Sequence, residues 1–160
     1  MTRKEIVVLA LAVSACGNDA GPDHPDAAAS PACAEATTYR NLASIETKIF
    51  KASCTFAACH DGSGTDAGRI DLREGHAFAS LVGVTSRIDP SRTLVVAGEP
   101  SRSFLLLMIG EVPPDRMSPP AAAIPTPPGP MPLSTGEPLT LCPEKRGAIS
   151  GWIAAGAAND

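Results

Sequence analysis

The chain has 160 residues, a formal net charge of -4 and 19% charged residues, with no run that gathers Lys and Arg together. That balance excludes a nucleic-acid partner, which a basic face would have to hold. Aromatic residues make up only 4%, against 14 glycines and 16 prolines, so a single modest domain has a thin core for its length and needs a crosslink, a metal or a cofactor to complete it.

In chain order, the first element is an export signal. Thr2, Arg3 and Lys4 give a short basic start, and Ile6 to Val13 form an apolar run too short to span a bilayer. The run closes on Val13-Ser14-Ala15-Cys16. Small residues followed by a cysteine resemble the bacterial lipobox. The resemblance implies that residues 1–15 are removed and that Cys16 is lipidated on its sulfur. Several acyl chains, at about 0.8 kcal/mol per buried methylene, hold a domain stably at a membrane surface where one does not. Residues 16–32 read as a tether of Pro, Gly, Ala and Asp, in which His24 has no assigned role. The expected location is the cell envelope, facing the periplasm or the cell surface.

The domain is expected over 33–160. Tyr39, Leu42, Ile45, Ile49 and Phe50 recur at helical spacing, predicting a helix from Tyr39 to Lys51 capped by Thr37 or Thr38. "DGSGTDAGRIDL" reads as a loop. "REGHAFASLVG" suggests a short helix with Phe78, Leu81 and Val82 inward, and "SRTLVVAGEP" an extended segment. "SRSFLLLMIG" predicts a short apolar helix with Ser101 as N-cap and Gly110 as C-cap. Ten of the 16 prolines then fall between Glu111 and Leu141, where neither helix nor sheet can run. A loop that long is usually functional. Pro143 and Glu144 suit a helix start, and Ile149, Trp152 and Ile153 mark one face of a last helix ending near Gly156. No internal repeat is visible. The fold class is all-α.

The chemistry concentrates in "CTFAACHDG", where Cys54, Cys59 and His60 stand as C-x4-C-H. The run that attaches c-type haem is C-x-x-C-H, and its residue types are dictated by the reaction. Each thiol adds across a haem vinyl group to give a thioether, and the adjacent imidazole becomes the proximal ligand. Four intervening residues can still serve by looping out further. A distal ligand would come from elsewhere in the chain. Met131 in "GPMPL" has proline on both sides, which fixes the backbone at little entropic cost. Met117 in "RMSPP" is the rival. Two other uses remain open for the thiols: a disulfide closing a small loop, or a metal or redox-sensing site. His76 reads as a helix-surface residue. No G-x-S-x-G, H-E-x-x-H or phosphate-loop motif is present, so the chain is not expected to be an enzyme.

"IFKASCTFAACHDG", "AGRIDLREGHAFASLVGV", "LVVAGEPSRSFLLLMI", "GPMPL" and "ISGWIAAGAAND" together resemble the monohaem c-type cytochrome-like domains of myxobacterial and planctomycete exported proteins. The likeness runs from Tyr39 to the end of the sequence; the x4 spacing departs from the common attachment signal. It implies a cytochrome c-like fold, with N- and C-terminal helices crossing beside the haem and the proline-rich loop wrapping it. It implies one covalent haem c, attached at Cys54 and Cys59 and ligated by His60 and Met131. It also implies a monomer that passes electrons to redox protein partners. With three of the five cysteines then used, Cys33 and Cys142 remain, and the helix crossing implied by the resemblance places a disulfide between them. The alternative is a haem-free, disulfide-stapled helical surface lipoprotein.

Overall fold

The computed structural model describes residues 30–55, 59–65, 69–126, 129–132 and 141–160. The stretch read as a signal sequence, Cys16 and nearly all of the stretch read as a tether lie outside them. Among the described residues the fold is all-helical, with three isolated β-bridges and no strand.

The first helix, α1 (Pro31–Ala36), starts two residues inside the stretch read as tether. Ser30 caps it by accepting from the Cys33 N–H, and Pro31 supplies a preset φ at the first helical position. Thr37 and Thr38 therefore do not begin the next helix. Their hydroxyls donate back to the carbonyls of Ala34 and Glu35 and close α1.

The second helical run starts at Asn41, whose side chain accepts from the Ser44 N–H. It passes through α2 (Leu42–Ile45), a π-helical turn (Glu46–Phe50) and α3 (Lys51–Ser53). A π turn accommodates an extra residue and rotates the helix beyond it. Here Ile45, Glu46, Ile49, Phe50 and Ser53 all face the core, a wider inward stripe than regular α-spacing would give.

After the site loop comes α4 (Ala77–Leu81). The extended segment beyond it bridges Val82 to Val95 and Thr93 to Ser103. The apolar helix is shorter than expected: a 3-10 turn (Pro100–Arg102) precedes α5 (Phe104–Met108). Ser101 is not its cap. Ser103 takes the N-cap position, and its hydroxyl accepts from the Val96 N–H. Ile109 takes the C-cap position, and Gly110 closes the helix one residue beyond it. Its φ of +71° lets its N–H reach Leu107 and the Glu111 N–H reach Leu106, which satisfies the last carbonyls. The described part of the proline-rich loop contains only a 3-10 turn (Pro114–Arg116).

The last helix, α6 (Pro143–Ala154), begins at Pro143 and buries Ala148, Ile149, Trp152 and Ile153, together with Lys145. It packs on α1 and α2. Two further ties fix this arrangement. Cys33 at α1 is disulfide-bonded to Cys142 at the start of α6, with 6.1 Å between their α-carbons. At the other end, Asp160 accepts from the Leu42 and Ala43 N–H groups and so caps α2.

The sequence separation of the disulfide is 109 residues. On the chain-entropy model, closing a loop of that size stabilises the fold by about 4 to 5 kcal/mol. Replacing Cys33 and Cys142 by serine is therefore expected to lower the denaturant midpoint sharply. Reductant should lower the midpoint of the parent chain by more than that of the double variant. Equal midpoints for the two proteins would show that the bond contributes nothing.

Candidate functional site

The site begins where the second helical run stops. The Cys54 N–H still donates to the Phe50 carbonyl, but Cys54 has φ -129° and leaves the helix. Its side chain is half-buried and packs against the core. Residues 56–58 lie outside the described set. Cys59 is buried, and His60 is half-buried.

Two backbone hydrogen bonds set the shape. The His60 N–H donates to the Cys54 carbonyl at 3.0 Å, which turns the chain back on itself across the motif. The Leu72 N–H then donates to the His60 carbonyl at 2.9 Å, closing the next loop. Leu72 is buried and anchors that closure in the core.

Inside the loop, charge does the fastening. Asp71 accepts two bonds from the Arg73 guanidinium, at 2.9 and 2.7 Å, and His76 Nδ1 lies 3.5 Å from the same carboxylate. The bidentate Arg73 pair is the main cause that holds the Asp71 carboxyl down at about 2, from an ordinary 3.8. Asp61 is also lowered, chiefly because it accepts from Ser63. Gly62 is required where the loop crosses this pair. Its φ is +75°, and a β-carbon there would fall 2.6 Å from Arg73 Nη2 and 2.7 Å from Asp71 Oδ2.

The two methionines differ in placement. Met117 is inside the core at 2% exposed. Met131 is half-buried at the core's edge, and its N–H donates to the Met108 carbonyl at the end of α5. The contact that fixes Met131 thus runs to α5 rather than to the loop of Cys54 and His60.

Cys54 and Cys59 are not joined to each other, although the sulfur of Cys59 is disulfide-bonded. The small disulfide loop open to this pair on spacing does not form. Among the described residues, one trio of metal-ligating groups lies within 4.8 Å: Cys33, Cys142 and Glu144. Its two sulfurs are bonded to each other, so it is not arranged as a metal site. An open groove of about 540 Å³ between α1 and α6 is lined by Ala36, Tyr39, Arg40, Gly147 and Gly151 among others, and contains none of the predicted site residues.

Two residues without a role in the sequence reading matter here. Glu46 is 4% exposed, and its carboxylate accepts from the N–H groups of Gly75 (2.8 Å) and Ala77 (3.0 Å). Its signal is an acid on the apolar stripe between Ile45 and Ile49. Arg92 is largely buried; its Nε donates to Asp89, and one terminal nitrogen donates to the carbonyls of Pro119 and Pro120. Its signal is the Asp-x-x-Arg spacing.

No protein-family model matches the chain, and neither a curated protein nor a solved structure does. Among the described residues no helix is long and apolar enough to cross a membrane.

The Asp71 pair gives a pH prediction. A depressed carboxyl stabilises the loop fully above its unfolded value and loses that contribution as pH falls toward 2. NMR titration is expected to place the Asp71 midpoint near 2, and Arg73→Ala should return it toward the ordinary 3.8. An unchanged midpoint in the variant would refute the pairing as its cause.

Proposed function

We propose that the chain is a lipid-anchored electron-transfer protein of the c-type cytochrome kind. It holds one haem c through Cys54 and Cys59, with His60 as proximal and Met131 as distal ligand. The observation that carries this reading is the hydrogen bond from the His60 N–H to the Cys54 carbonyl. The wider C-x4-C-H spacing put the attachment in question. This bond keeps the backbone of the first cysteine beside that of the histidine despite the wider spacing.

The donor set fits the group: two sulfurs for thioethers, an imidazole adjacent to the second, and a thioether sulfur from a distant loop. Ile70, Phe78, Val82, Leu105 and Ile124 are half-buried against the core, so the fold keeps partly exposed apolar side chains of the kind a flat apolar ring would cover. Met117 is occupied in core packing, which favours Met131 as the ligand. The packing of α6 on α1 and α2 supports a cytochrome c-like arrangement of terminal helices. Bound haem would supply one-electron exchange between ferrous and ferric iron.

Attachment needs both thiols reduced. The disulfide at Cys59 must first be opened by a dithiol reductant. Bound haem would be attached by addition of each S–H across a vinyl double bond, which consumes no oxidant. His60 and Met131 would both ligate the iron and so would leave no place on it for a substrate. The partners are other redox proteins, met through a small, weak interface.

A second reading is a haem-free helical surface lipoprotein, stapled by disulfides. The Cys33–Cys142 bond favours it. Expression with a c-type maturation system separates the two. The cytochrome reading expects Soret and α bands that survive denaturation and are lost in a Cys54→Ser, Cys59→Ser variant. Met131→Ala should abolish the methionine-ligation charge-transfer band, and Met117→Ala should leave it. A colourless chain would establish the stapled lipoprotein instead.

A further inference from the structure

We propose that Glu46 is the positioning residue for His60, a role that rests on the cofactor reading above. The starting point is a carboxylate in the wrong place. Glu46 faces the core from the π turn, where a charged group costs free energy unless its oxygens are satisfied. Both are. One oxygen accepts from Gly75 and the other from Ala77, which is the first residue of α4.

A local cap would have satisfied Ala77 without burying a charge. The N-cap position of α4 is His76, which makes no side-chain cap bond. The acceptor instead reaches across 31 positions of sequence. What the distant residue achieves, and a local serine would not, is to fasten the end of the site loop to the helical run that leads into Cys54.

One outer closure encloses two consecutive inner ones. The outermost runs from Glu46 to Gly75 and Ala77; within it one closure runs from Cys54 to His60 and the next from His60 to Leu72. Each brings the two ends of its segment together. His60 belongs to the inner two, so its backbone has little freedom while the outer one holds. Charge-assisted bonds to a buried carboxylate are stronger than neutral ones, which suits the outermost closure, since it spans the longest segment. The π turn is part of the device, because it adds Glu46 to an inward stripe already occupied by Ile45 and Ile49.

The test measures hydrogen exchange in haem-free protein carrying Glu46→Gln or Glu46→Ala. The reporter is the Leu72 N–H, which donates to His60. The amides of α6 are the internal reference. In Glu46→Ala, Leu72 is expected to exchange at least tenfold faster relative to α6. In Glu46→Gln, which keeps one accepting oxygen, the factor should be smaller but measurable. Uniform acceleration in both regions, or no change at Leu72, overturns the proposal. If Glu46→Ala does not fold, the Glu46→Gln comparison decides alone. In haem-loaded protein both substitutions are expected to move the hyperfine-shifted resonances of the His60 ring and to leave covalent attachment intact; unmoved resonances also overturn it. A parent chain that takes up no haem removes only the cofactor reading, because the exchange measurement still decides whether Glu46 holds the His60 segment.

Discussion

The covalent tie between Cys33 and Cys142 is the constraint on which the remaining structure depends. This chain has few aromatic side chains and a long stretch that proline bars from regular structure. Hydrophobic burial alone has little material to work with. The crosslink removes much of the unfolded chain's freedom before any side chain packs. It sets the beginning of α6 beside α1, and Asp160 then brings the far end of the chain onto the start of α2. Trp152, Ile149 and Ile153 are thereby presented to a core that α2 and the π turn supply from the other direction.

Smaller closures repeat the same solution inside the site. The described residues of the loop after His60 include no strand and no long helix, yet its ends are fixed by backbone bonds, by the Arg73–Asp71 pair and by a buried acid. Each replaces packing that a loop rich in glycine cannot provide. Arg92 does the same for the proline-rich segment, whose carbonyls find few backbone donors nearby because proline has none.

Much of this is readable in the sequence, for identifiable reasons. The long apolar stripes of the second helical run and of α6 are visible by their period, and Gly110 stands where a left-handed residue must close α5. α1 escapes such a reading because six residues are too few for a period to emerge, although Ser30-Pro31 is a good start signal. Thr37 and Thr38 sit at a junction where hydroxyls suit either the end of one helix or the start of the next, so their sequence alone does not say which helix they serve. The π turn is not foreseeable, because it depends on where Glu46 finds its two amides. At the site, spacing alone identifies Cys54, Cys59 and His60 as one group, whereas the roles of Glu46 and Arg92 depend on partners far off in sequence. Spacing likewise cannot separate Met117 from Met131, because depth in the core is a tertiary property.

The described part of the proline-rich segment is fixed at two places. Ser118, Pro119, Pro120 and Ala121 are tied to Ser101, Arg92 and Pro114, and Met131 is tied to Met108. Between those moorings the chain makes a local turn from Pro125 to Gly129. A change of length there costs little, because loop-closure entropy grows only slowly with length. The stretch between the two moorings is therefore where the chain can change length while the helical scaffold keeps its own ties.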